Sequence, residues 1–178
     1  MNKKRIKAEV DLPDMDFGGV DMSRGRLDAE DFSFAIVVSR FNDEFTGQLL
    51  SSTLDCLRKY GACDDDIGVY WVPGAYEIPQ AVERILVSGD YDAVIALGCV
   101  IQGETPHAEL INTSVAQALM DIARDYDVPI INEVVGTYDI KQAVVRCSYG
   151  EDSRGWYAAA AAIEMASLYA CLEEKCAW

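Results

Sequence analysis

The 178-residue chain has one histidine, five prolines, and fifteen basic residues against thirty acidic ones. Each scarcity excludes something. A single imidazole leaves no ligand set for a metal, because the six cysteines (Cys56, Cys63, Cys99, Cys147, Cys171, Cys176) form neither a C-x-x-C pair nor a zinc spacing. The net charge of −15 repels nucleic acid and anionic membranes, so neither is expected as a partner. Any anionic substrate then needs a local cationic pocket. No apolar run reaches the length of a membrane span. The start "MNKKRIK" leads into "AEVDLPDMDF" without an apolar signal segment. Thiols without a disulfide framework suit a reducing compartment, and a cytoplasmic location is expected.

What remains is 51% apolar and long enough to bury a substantial core. Residues 1–31 are charged and lack a clear period, which predicts a flexible arm over 1–24 and a short strand around residues 26–29. Residues 25–178 read as a single α/β domain. "FSFAIVVS" is a strand buried on both faces. "RFND" closes it, with Asn42 or Asp43 as the cap of a helix that ends at Gly61. "IGVYWV" is a strand, "PGA" a tight turn, and "YEIPQAVERILVSG" a helix starting near Tyr76. "YDAVIALGCVI" is the most apolar strand and the expected sheet centre. A long helix follows, with Thr105 as N-cap and Pro106 at its first position. "VPIINEVV" is a further strand, interrupted by Asn132-Glu133. "DIKQAVVRC" is a short helix, and "RGWYAAAAAIEMASLYACLEEK" closes the chain as a helix.

Strands alternating with helices imply a parallel sheet covered on both faces, with ligands beyond the carboxyl ends of the strands. "RFN", "VPGAYE", "VIQGETPH" and "VVGT" lie at those ends. In "GETPH" a glycine before a helix start leaves backbone N–H groups for an anion. Gly103 permits close approach, and the Thr105 hydroxyl can cap the helix or meet a phosphate. His107 falls at the positive end of the helix dipole, which disfavours imidazolium and leaves a base able to accept a proton. The same residues also describe a plain helix start with an exposed histidine. In "VPGAYEIP", Gly74 allows an unusual backbone angle, and Glu77 suits either a helix's first turn or a polyol. Phe41 is a core residue or a stacking surface. Arg146 and Arg154 flank a connector and serve either a phosphate or a solvated ionic face. Trp71, Trp156 and Trp178 need no functional role.

Together and in this order, "AIVVSRFND", "VPGAYEIP", "ALGCVIQGETPH" and "RGWYAAAAAIEMASL" resemble the lumazine synthases, over residues 25–168. The resemblance implies a three-layer flavodoxin-like fold, an active site between neighbouring subunits of a homopentamer, and an N-terminal arm that adds a strand to a neighbouring subunit. It implies condensation of 5-amino-6-ribitylaminouracil with 3,4-dihydroxy-2-butanone 4-phosphate to 6,7-dimethyl-8-ribityllumazine, with release of phosphate and water and no cofactor or metal. By position, Phe41 stacks on the pyrimidine, and Asn42, Ala75, Tyr76 and Glu77 line the ribityl chain. Cys99, Val100 and Ile101 offer strand-end backbone to the pyrimidine edge. Gly103, Glu104 and Thr105 hold the phosphate with Arg146 of an adjacent subunit, and His107 transfers protons. Arg154 stands where lysine is usual, and Asn132 where an aromatic closes over the pyrimidine. Further departures are Gln102 for a basic residue, Glu133 for glycine, and Ala108 and Leu110 for aromatics. The short 146–154 connector matches the shell-forming pattern of twelve pentamers, and riboflavin synthase is a further expected partner. A non-catalytic lumazine- or flavin-binding shell protein is the alternative that the departures would suit.

Overall fold

The computed structural model describes residues 18, 19 and 22–176. Most of the expected 1–24 arm, and Trp178, lie outside the described residues. Four strands, β1 (Phe34–Ser39), β2 (Ile67–Val72), β3 (Ala93–Ile101) and β4 (Ile130–Thr137), form one parallel sheet in the order β2-β1-β3-β4. This is the order of a flavodoxin-like doubly wound sheet as far as its fourth strand. β3 lies between β1 and β4, as its apolar sequence required.

Among the described residues, five α-helices cover the sheet: α1 (Asp43–Lys59), α2 (Ile78–Ser88), α3 (His107–Tyr126), α4 (Ile140–Cys147) and α5 (Arg154–Cys176). β1 alternates strictly. Phe34, Ile36 and Val38 meet α1 and α5, while Ala35 and Val37 meet α2 and α3. Each large side chain removed from water in this way contributes about 1.5–3 kcal/mol. α4 packs on the α1 and α5 face through Ala143 and Cys147.

Local chemistry explains the helix ends. α1 closes in a Schellman motif: Ala62 N–H donates to Leu57 O at 3.0 Å and Gly61 N–H to Arg58 O at 3.2 Å, with Gly61 at φ +102°. Asp139 caps α4 by accepting Gln142 N–H at 2.8 Å.

β2 is an edge strand, and Trp71 on it is 47% exposed. Among the described residues, 26–29 form no strand, contrary to the short strand expected there. Instead the Arg26 N–H donates to Ser167 Oγ on α5 at 2.6 Å, and the Ala29 N–H to Tyr60 O at 2.8 Å. Among the described residues, no helix is long and apolar enough to cross a membrane.

Candidate active site

Because the strands run one way, the loops after them share one edge of the sheet. Backbone bonds stitch those loops together. Arg40 N–H donates to Val72 O at 2.8 Å, Phe41 N–H to Pro73 O at 3.1 Å, and Gln102 N–H to Thr137 O at 2.8 Å. β3 outruns β1: their pairing ends at Val38 and Leu97, while β3 continues to Ile101. The β1-facing edge of residues 98–101 is therefore without a strand partner, which leaves the backbone available where the pyrimidine was expected. Part of it is used internally, since Asn42 Nδ2 donates to Cys99 O at 2.9 Å. Asn42 precedes α1 but makes no side-chain cap, contrary to expectation, and sits in the left-handed region at φ +63°. Asparagine tolerates that region better than most residues.

Phe41 is 71% exposed, so it is no core residue, and its ring is free to stack. Beside it, residues 75–77 form a 3-10 turn with Ala75 buried and Tyr76 exposed. Gly74 is extended (φ −148°), not unusual. A Cβ there would stand 2.9 Å from Glu77 Oε2, the movable end of a partly exposed side chain. The Glu77 carboxylate thus lies back over its own turn.

The helix start after β3 is corrected by one residue. α3 begins at His107, Pro106 takes the cap position, and no side chain caps it, so Thr105 is not the N-cap. Its hydroxyl is left for another acceptor or donor. Among the described residues, the N–H groups of Gly103, Glu104 and Thr105 meet no carbonyl, as expected of an anion-binding helix entry. A Cβ on Gly103 would meet no protein atom, so the space over it is open. Gln102, which carries no charge where a cation was expected, folds back instead: its Nε2 donates to Gly103 O at 2.9 Å and Thr105 O at 2.7 Å. It braces the turn. His107 is exposed at the end of this turn.

The arginines lie on the other layer. Arg146 is exposed in the last turn of α4, which packs on the face opposite α3. The next residue, Cys147, is buried in the same core cluster as Cys99, so the end of α4 packs against the end of β3. The neighbouring thiol holds Cys99 low and pushes Cys147 up, burial adding to the rise in Cys147. Arg154 opens α5 and gives Nε and Nη2 to the two oxygens of Glu133, each at 2.8 Å. Burial pushes the Glu133 carboxyl up, and Arg154 and the more distant Arg146 pull it only partly back. Asn132, exposed on β4, accepts Val134 N–H through Oδ1 at 3.1 Å.

One chain therefore assembles Phe41, Asn42, the 75–77 turn, the end of β3, the Gly103–Thr105 turn and His107 along one edge. It does not bring Arg146 or Arg154 to His107, for the sheet separates them. Two contributors were missed in the sequence. Gln102 reads in the sequence only as a lost charge. For Glu133 a signal existed, because a carboxylate inside an apolar strand needs a cationic partner. Nothing local named Arg154 as that partner.

Comparison with known proteins gives concordant results. A family model described as 6,7-dimethyl-8-ribityllumazine synthase matches residues 31–170. Two curated Clostridium kluyveri proteins, each named 6,7-dimethyl-8-ribityllumazine synthase, are 44% identical to the chain over 149 residues, covering 84% of this chain and 97% of theirs.

Proposed function

The chain belongs to the 6,7-dimethyl-8-ribityllumazine synthase family, and from that membership we infer that it is a transferase that condenses 5-amino-6-ribitylaminouracil with 3,4-dihydroxy-2-butanone 4-phosphate. The amine attacks the ketone to give an imine and water, phosphate leaves by elimination, and ring closure releases a second water to yield 6,7-dimethyl-8-ribityllumazine. This is the penultimate step of riboflavin synthesis.

The residues divide that work by their chemistry. Phe41 offers an open ring face to the pyrimidine. Glu77, with Asn42, Ala75 and Tyr76, suits the ribityl hydroxyls. The free backbone edge at Cys99, Val100 and Ile101 can read the polar edge of the ring. The unpaired N–H groups of Gly103, Glu104 and Thr105, set by the Gln102 brace, favour the phosphate. His107, beside them and open to solvent, moves protons between the reacting amine, ketone and leaving group. Holding both substrates in register contributes by proximity alone.

The observation that carries this reading is the division of the site. His107 opens α3 and the 75–77 turn packs with it on one layer, while Arg146 and Arg154 belong to α4 and α5 on the other, the layer that Phe41 and Asn42 enter through α1. A second copy supplying Arg146, Arg154 and the Asn132 side of β4 completes the site, which supports a homopentamer with shared active sites. The outer edge of β2, with Val69, Tyr70 and Trp71 exposed, suits strand addition by a neighbour's arm. The connector between α4 and α5 spans only residues 148–153, in keeping with closure of twelve pentamers into a sixty-subunit shell. A cytoplasmic location and association with riboflavin synthase complete the proposal.

The test is incubation with both substrates, following lumazine fluorescence and inorganic phosphate together. Stoichiometric appearance of both is expected. Tight binding of the ribityl pyrimidine without phosphate release would instead make this a lumazine-binding protein.

A further inference from the structure

Glu133 is an acid in an apolar strand, its side chain only 8% exposed. Both its oxygens are taken by Arg154, through Nε and Nη2. A fork of this kind fixes the plane of the guanidinium as well as its position.

The backbone under Arg154 is held by other means. Gly155 lies so close to α1 that a Cβ would stand 2.1 Å from Leu49 O. Thr53 Oγ1 donates to Gly155 O at 3.0 Å, and the Gly155 N–H donates to the buried Ser153 Oγ at 3.2 Å. α5 therefore does not need the ion pair to find its place. What the pair adds is the direction of the side chain. Two guanidinium nitrogens are occupied, and the Tyr157 ring lies 5.8 Å from the guanidinium carbon. Nη1 has no protein partner among the described residues, and 43% of the side chain is exposed. The field of Arg146 also reaches the same carboxylate, so the two arginines that flank the connector act on one buried acid.

We propose that Glu133 is a positioning residue of the condensation site, holding Arg154 so that its free Nη1 edge is presented as a fixed donor to substrate. The inference rests on the reading above, in which Arg154 touches substrate in the assembled protein. Without the acid, the guanidinium must be ordered at the moment of binding, at a cost in side-chain entropy. A lysine at this position gives a point charge and cannot form the fork.

The test is a set of steady-state measurements on the assembled full-length protein, with KM taken for each substrate separately. Arg154→Ala should raise the KM of the substrate it contacts about tenfold or more. Glu133→Ala should raise the KM of that same substrate while leaving kcat within about twofold, and should add nothing to Arg154→Ala in the double variant. Glu133→Gln, which keeps one acceptor, should recover part of the loss. If Glu133→Ala does not fold, Glu133→Gln replaces it, and in an Arg154→Lys background it should cost nothing further. Unchanged KM values with only a lower melting temperature would overturn the inference. So would additive effects in the double variant, or a Glu133 effect on the other substrate. A wild-type protein without turnover would overturn the functional reading and this inference with it, whereas an active wild type with a kinetically silent Glu133 overturns the positioning role alone.

Discussion

Asn42 donates its side-chain amide to Cys99 O at 2.9 Å, joining the loop after β1 to the free edge of β3, and does so from a left-handed backbone. The residue thus serves the fold twice. Asn42→Gly keeps the backbone and loses the bond, while Asn42→Ala loses both. The alanine variant should be the less stable of the two by about 1 kcal/mol, since a left-handed conformation strains most residues with a Cβ. Urea denaturation reads the difference, and equal midpoints would refute the backbone contribution.

His107→Ala should lower turnover and leave assembly intact, because the ring is exposed and lies outside the core. General acid–base groups contribute about 10²–10⁴-fold, and substrate proximity, which survives the substitution, places the loss toward the lower end of that range. Single-turnover kinetics at subsaturating substrate will show it. A rate equal to wild type would remove His107 from proton transfer.

Arg146→Ala should weaken the butanone phosphate by roughly 1.5–3 kcal/mol, the value of a charge-assisted hydrogen bond, and leave the ribityl pyrimidine nearly untouched. Mixed assemblies of His107→Ala and Arg146→Ala subunits should regain activity, because some interfaces then combine two intact halves. Mixtures no more active than their components would mean that each chain builds its own complete site.

The assembled particle should be a hollow sixty-subunit shell, visible by light scattering or negative-stain microscopy at moderate salt. The acidic surface opposes closure through self-repulsion, and salt screens it. Lowering the ionic strength should therefore shift shells toward pentamers. Only pentamer-sized particles at moderate salt would count against the shell, and a fully active monomer against shared sites altogether.

Burial holds the Glu133 carboxyl above the ordinary carboxylate range even beside Arg154. A group raised in this way takes its proton in the folded state before the unfolded one does. Its charged form therefore disfavours folding at neutral pH, and the deficit disappears as pH falls toward the ordinary carboxylate value. Glu133→Gln has no such proton. The melting-temperature difference between wild type and Glu133→Gln should move in favour of the wild type on acidification. A move the other way would show a carboxyl lowered by its arginine.

Sequence alone determined the element order, the parallel sheet with β3 inside it, and the edge on which the candidate site residues gather. Those features are local: strand runs of β-branched residues, helical spacing, a glycine after α1 and an aspartate before α4 each act within a few residues. The four motif blocks also carried the family. Tertiary structure decided the rest. It put β2 on the outside, so that Trp71 is exposed. It turned Asn42 from a side-chain cap into a link to Cys99, 57 residues away. It also gave Glu133 to Arg154, 21 residues on, and set both arginines across the sheet from His107. No periodicity encodes such pairings, because a side chain's partner depends on which strands and helices lie side by side. That is fixed only when the layers pack.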